Sequence, residues 1–187
     1  MIHSVRFKAV LDTNVIYPVI IRDLLLWLAH YDLYTPKWSR HIVDEWQSVM
    51  ERKGVALEEV EKRVQRVNLA FPDALVQNYI GLVDGLDLPD GKDRHVLAAA
   101  IKINADVIVT NSIKDFPAAY LETFGLTAKT ADDFLTDIID LNQDEAIAAF
   151  KEMVLNKKNP ELDEFQVLEQ LRKAELFETA NYLHALL

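Results

Sequence analysis

The sequence contains no cysteine, which excludes disulfides and thiolate zinc sites and fits a reducing interior. It has no apolar run long enough to cross a bilayer. The longest one near the start, Leu24 to Ala29, falls far short of the roughly 20 residues a spanning helix needs. The opening stretch MIHSVRFKAV lacks the apolar core of a signal peptide, so a cytoplasmic protein with no membrane partner is expected. Basic charge is scarce: 20 Lys plus Arg stand against 30 acids, for a net charge of −10. That balance argues against a protein that coats nucleic acid through a broad basic surface. It does not exclude a nuclease, because clustered carboxylates are what a metal-dependent nuclease needs and bound divalent ions reverse the local field. Repeats and low-complexity segments are also absent. GKDRH, residues 91–95, is not a Walker loop, and no other phosphate-cradling glycine motif occurs.

What is present is a chain of 187 residues, half of them hydrophobic, enough for one domain of ordinary size with a helical extension. FKAVL, residues 7–11, reads as a short buried parallel strand. Residues 20–31 follow a helical pattern, and DLYTP reads as a second strand ended by Pro36. Ser39 is placed to cap a helix running to Gly54, and residues 57–71 form another helix before Pro72. ALVQNY is a candidate strand, LDLPDGKD is turn chemistry, and RHVLAAAIKINA is a helix. DVIVT is the next buried strand, NSIKDFP its loop, and a short strand near LTAKT precedes a helix from Ala131. Strands alternating with helices imply a parallel sheet with right-handed crossovers. From Asn142 the pattern turns to continuous helix carrying nine acids and five bases, with Asn159-Pro160 as the obvious break. The expected organisation is therefore an α/β domain over 1–141 and an extension of two or three helices over 142–187.

Four acids sit where a purely structural reading would not put them. Asp12 ends the first apolar strand, and Asp115 follows DVIVT by a short loop at the same sheet edge. Glu45 shares a helix face with Ile42 and Val49, and Asp93 precedes Val96, Leu97 and Ala100 at helical spacing. Each has a bland alternative: Asp12 and Asp93 as helix caps, Glu45 reaching outward to water, Asp115 capping a turn, with Asp44 a solvated neighbour. Taken together they form a hard-oxygen set without Cys, suited to Mg²⁺ or Mn²⁺. If Glu45 shares an acidic pocket, neutralising it should relieve repulsion and stabilise the metal-free fold.

VLDTNV, then SRHIVDEW, then GKDRHVLAAAIKINADVIVTNSIKDFP resembles the PIN-domain nucleases, particularly the VapC-like toxin branch, over residues 7–141. The resemblance implies a three-layer α/β/α PIN-like fold around a central parallel sheet, with an acidic pocket for one or two divalent ions. It matches Asp12, Glu45 and Asp93 to the family's first three acids. Asn111 and Ser112 stand where the fourth often occurs, and the DF register assigns that place to Asp115. Thr13, Asn14, Thr110 and Asn111 are the polar supports near metal or scissile phosphate.

The activity this implies is metal-assisted hydrolysis of RNA phosphodiester bonds. Asp12, Asp93 and Asp115 hold Mg²⁺ or Mn²⁺, while Glu45 helps ligate the ion or orient the attacking water. Arg94, with Lys37, Arg40 and Lys92, is a candidate for holding flanking phosphates, solvated surface charge being the alternative for each. His95 is read either as a substrate contact or as a structural histidine. An aspartyl-phosphatase of the haloacid-dehalogenase kind would need a second Asp where Asn14 stands. A catalytically degenerate PIN domain that binds RNA or a partner is the other reading. A toxin would have a cognate antitoxin, often supplying a basic segment to the acidic pocket. The stripes Val167, Leu168, Leu171, Ala174 and Phe177, Ala180, Leu183, Leu186, Leu187 either pack internally or form a homodimer or antitoxin face.

Overall fold

A computed structural model describes residues 7–187. Residues 1–6, part of the stretch read for a signal peptide, lie outside the described residues. Five parallel strands, β1 (Lys8–Leu11), β2 (Thr35–Ser39), β3 (Leu75–Val76), β4 (Val107–Val109) and β5 (Thr127–Lys129), form one sheet. Their order is β3-β2-β1-β4-β5. The apolar β1 run occupies the centre, paired on one side with β2 (Ala9 opposite Pro36) and on the other with β4 (Val10 opposite Ile108). The chain steps outward from β1 through β2 to β3, then returns to lay β4 against the other edge of β1. The crevice between the carboxyl ends of β1 and β4 is thus the topological switch point, where open α/β sheets bind ligands.

Helices α1 (Thr13–Ile16), α2 (Val19–His30), α3 (Arg40–Arg52) and α4 (Leu57–Ala70) come from the first half. Helices α5 (Ile80–Val83), α6 (Arg94–Lys102), α7 (Ala118–Glu122) and α8 (Ala131–Leu141) come from the second. With helices flanking the sheet, the fold is the expected three-layer α/β/α arrangement. α6 packs across β1, β2 and β4 and is buried continuously from His95 to Ala100. Phe134 of α8 meets Tyr34 edge-on at 5.0 Å between ring centroids, joining that helix to the sheet. Trp38, Trp46, Phe116 and Phe150 are also fully enclosed. Burying each such side chain is worth about 1.5–3 kcal/mol by the usual area scaling.

The helix limits read from capping residues agree with the coordinates. Ser39 accepts from the Ile42 amide at the start of α3, and Gly54 follows its end at φ 82°. Pro36 does not end β2, contrary to the sequence reading. The Thr35 amide donates to Phe7 on the β1 side and the Trp38 amide to Ala74 on the β3 side. By strand alternation the missing amide of Pro36 faces the β3 side too, where β3 has not yet begun, so no ladder bond is lost.

The extension consists of α9 (Gln143–Leu155), α10 (Glu164–Lys173) and α11 (Phe177–Leu186), with the expected interruption around Pro160. α9 packs on α2, and α11 on α8. α11 has no cap from its own sequence; the Asp132 carboxylate of α8 accepts from the Glu178 and Thr179 amides at 3.0 and 2.8 Å. Val167, Leu168, Leu171, Ala180 and Leu183 are wholly buried within the chain, whereas Phe177 is 54 % exposed. Internal packing therefore uses most of both stripes.

The closing residues form two helices, α10 and α11, within the two or three expected for the extension, and the break falls at Glu175, which takes φ 65°. The Leu176 amide closes back on the Leu171 carbonyl at 3.0 Å, a turn that glycine normally makes. An L-residue pays in strain for this conformation. Glu175→Gly should therefore raise the melting temperature by about 2–4 °C, the shift that roughly 1 kcal/mol produces at this size. Thermal melts of the two proteins check it.

Candidate active site at the carboxyl edge of the sheet

Asp12 is the residue where β1 stops being apolar but not where it stops being held. Its amide still donates to the Val109 carbonyl at 3.0 Å, so the carboxylate leaves from the last rung of the β1–β4 ladder. The residue is 5 % exposed. Its Oδ1 accepts from the Thr13 amide at 2.7 Å, which makes it the cap of α1 as well. Its Oδ2 accepts from Asn14 Nδ2 and from the Thr110 hydroxyl, both at 2.8 Å. Burial pushes the carboxyl above its ordinary value; the Thr110 and Thr13 hydrogen bonds pull it back, and the Glu45 charge adds to the rise.

Asn14 ties the two strand ends together. Its Nδ2 also lies 3.0 Å from the Thr110 hydroxyl and 3.2 Å from the Ser112 hydroxyl, and its Oδ1 accepts from the Asn111 amide at 3.0 Å. The Asn111 side chain turns to the Ala131 amide at the start of α8, at 3.1 Å, and so braces the loop. Ser112 is thereby joined to Asp12 through Asn14, although it carries no charge.

Glu45, on the second turn of α3, is half-exposed. Its Oε2 accepts from the Thr13 hydroxyl at 2.5 Å and its Oε1 from His95 Nε2 at 2.8 Å. Burial pushes its carboxyl up, but the hydrogen bonds from His95 and Thr13 and the nearby His95 and His41 rings together hold it below the ordinary value. The expectation that neutralising Glu45 would stabilise the metal-free fold is therefore reversed: the residue is paired, not merely repelled. His95 is buried and faces Glu45, so the reading of it as a direct substrate contact is not what the geometry favours. Its spacing of 50 residues from Glu45 gave no local signal. The neighbouring His41, stacked on His95, stands four residues before Glu45 and so on the same helix face, a signal the sequence did carry.

Asp93 sits at the start of α6 yet makes no capping hydrogen bond. Burial, followed by the charges of Asp12, Asp90 and Asp115, raises its carboxyl to about 6. Asp115 closes a short 3-10 turn, Ile113–Asp115, anchored by buried Phe116. The acids are coupled in pairs: the Glu45 charge acts on Asp12, and those of Asp12 and Asp115 act on Asp93. Of the basic candidates, Lys37 donates to the Asp73 carbonyl and Arg40 pairs with Asp44 at 2.8 Å. The Arg94 guanidinium lies over Gly91, while Lys92 is exposed.

The raised Asp93 value has a measurable consequence. Because the folded value of about 6 exceeds the ordinary 3.8, protonation favours the fold. That contribution is full below the ordinary value and is lost as pH rises through about 6. Asp93→Asn should remove most of this pH dependence from the metal-free protein. It should melt about 2–4 °C above the native chain at about pH 7.5, after allowing for solvent screening of a half-exposed group. Melts across pH in chelator check both statements.

Among the described residues, no three acidic or histidine side chains converge as a ready-made cage for an ion. The donors do fit an ion that keeps most of its water, since Mg²⁺ usually takes one or two carboxylates. Asp12 Oδ1 has one hydrogen bond and a second lone pair to offer, and the Asp93 carboxylate has no partner among the described residues.

The sequence model of the PIN domain family matches residues 8–114, more than half of the chain, including Asp12, Glu45 and Asp93 but stopping one residue short of Asp115. The chain belongs to the PIN domain family. The model of the VapC50 C-terminal domain matches residues 131–185, so α8 to α11 also have a family counterpart. A Mycobacterium tuberculosis (strain ATCC 25618 / H37Rv) protein described as "Putative ribonuclease VapC50" is 46 % identical over 63 residues. That alignment covers 34 % of this chain and 37 % of the relative, so it spans little more than a third of that protein. No solved structure matches the chain significantly. The resemblance to PIN domains of the VapC-like branch is borne out.

Proposed function

We propose that this PIN domain is a metal-dependent endoribonuclease that hydrolyses RNA phosphodiester bonds, acting as the toxin of a toxin–antitoxin pair. The observation that carries the reading is the unneutralised acid edge, where Asp93 is raised to about 6 by burial and by its acidic neighbours. A fold that needed only structural caps would not hold Asp93 uncapped beside Asp12 and Asp115. The family match and the VapC50 relative support the same reaction class.

Asp12 and Asp93 would hold Mg²⁺ or Mn²⁺, with Asp115 reaching through water. When bound, the ion supplies charge neutralisation at the scissile phosphate and a lower pKa for the attacking water. Thr110 and Asn14 fix the Asp12 carboxylate so that it does not turn away from the phosphate. Each Glu45 oxygen spends one lone pair on Thr13 or His95 and keeps another, with which it accepts a hydrogen bond from the water and orients it. Lys92 and Arg94 stand closest to Asp93 in sequence and are assigned the flanking phosphates.

The net charge of −10 favours an antitoxin that presents a basic segment to this edge. No described helix is long and apolar enough to cross a membrane, and a cytoplasmic site of action is part of the proposal. The lack of a tight three-acid cage among the described residues is the observation that favours the other reading, a degenerate domain that binds RNA without cutting it. Incubating the purified chain with a mixed single-stranded RNA pool, with and without Mn²⁺, separates the two. Metal-dependent fragments support the ribonuclease, and retention of intact RNA on the protein supports the binding module.

A further inference from the structure

The feature the mechanism leaves unexplained is why Glu45, half-exposed on α3, has both oxygens held. His95 is 7 % exposed, and its Nδ1 is buried without a hydrogen-bond partner. Its Nε2 lies 2.8 Å from Glu45 Oε1. A carboxylate oxygen only accepts, so Nε2 carries the hydrogen and donates it. The ring cannot drift, because His41 stacks on it with centroids 5.1 Å apart and planes 26° apart. His41 is pinned in turn: its Nδ1 lies 2.5 Å from the Tyr79 hydroxyl, and its amide donates to the same oxygen.

We infer that His95 is a positioning residue for the hydrolysis, its Nε2–H fixing the Glu45 carboxylate toward the attacking water, with the His41–Tyr79 pair bracing the ring. The inference rests on the ribonuclease reading above. Thr13, on the residue after Asp12, holds the other oxygen, so the orientation of Glu45 is referred to the same strand end as the first acid.

Two nearly isosteric replacements test it. The Gln amide nitrogen reaches the place of Nε2, whereas the Asn amide nitrogen reaches only that of Nδ1. His95→Gln should keep kcat on RNA with Mn²⁺ within about threefold of native. His95→Asn should lose about 10- to 100-fold in kcat, the range for removing a partner that orients a ligating or reacting group. KM should stay within about twofold in both, and the two variants should melt within a few degrees of each other. In a Glu45→Ala background the difference between Asn and Gln at position 95 should vanish, because no acceptor is left to orient. Equal activity of the Asn and Gln variants, at either a high or a low level, would overturn the role of the Nε2 donor. So would a difference that survives in the Glu45→Ala background. If the native chain cleaves no RNA under these conditions, the ribonuclease reading itself fails and this inference fails with it.

Discussion

Asp12→Asn should lower RNA cleavage by about 10³-fold or more, the largest loss expected from any single change at this edge. Metal-assisted charge stabilisation is worth several kcal/mol, and each 1.36 kcal/mol is about tenfold in rate. The fold should survive the change. Burial already works against the charge of Asp12, so a neutral amide removes that cost. The amide has one carbonyl oxygen, however, and Asp12 accepts from three donors: the Thr13 amide, Asn14 and Thr110. Keeping Asn14 and Thr110 satisfied turns the new NH₂ against the Thr13 amide, at about 1 kcal/mol. The two effects oppose, and the metal-free melting temperature should move by no more than about 2–4 °C. In the native chain, Mn²⁺ should raise the melting temperature by relieving repulsion among the acids. In Asp12→Asn that rise should be largely lost. Cleavage rates and melts with and without Mn²⁺ measure both halves of the prediction.

Glu45→Gln should cost about 10²-fold in cleavage, in line with the loss of an orienting group at the reacting water. Its effect on stability runs opposite to that of Asp93→Asn. The Glu45 carboxyl is held below its ordinary 4.5, so ionisation favours the fold. That contribution is present above the ordinary value and is lost as pH falls through the lower folded value. At neutral pH the metal-free Glu45→Gln chain should therefore melt slightly below native, because Gln cannot accept from both Thr13 and His95. The gap should begin to narrow as pH falls below the ordinary 4.5 and should close only below the lower folded value, where the native residue loses its charge as well. A variant more stable than native at neutral pH would mean that repulsion from Asp12 outweighs the pairing with His95.

The parts of this arrangement that could be read from sequence are those set by local chemistry. An apolar strand ended by Asp12-Thr13-Asn14, and another ended by Thr110, announce two carboxyl edges. Ser39 and Gly54 bracket α3 because capping preferences act within a few residues. What was illegible depended on neighbours or on broken local rules. Pro36 continues a strand because of where β3 begins, which β2 itself does not encode. Glu175 makes a helix stop that glycine usually makes, so no local signal marks the break between α10 and α11. Asp93 follows turn chemistry that favours a cap, and only the fold leaves it uncapped among other acids. The pairing of Glu45 with His95 joins α3 to the start of α6 across the sheet edge, a contact invisible to periodicity. It also turned an expected repulsion into an anchoring interaction.

The chemistry of the ends left on cleaved RNA tests the central claim most directly. If water at the Asp12–Asp93 edge is the nucleophile, the RNA's own 2′-hydroxyl takes no part and no 2′,3′-cyclic phosphate forms; with the 3′-oxygen as leaving group, each cut should yield a 3′-hydroxyl and a 5′-phosphate. Both products should require Mn²⁺ and should disappear with Asp12→Asn. Fragments ending in 2′,3′-cyclic phosphate, or fragments made equally well by Asp12→Asn, would contradict hydrolysis at this site.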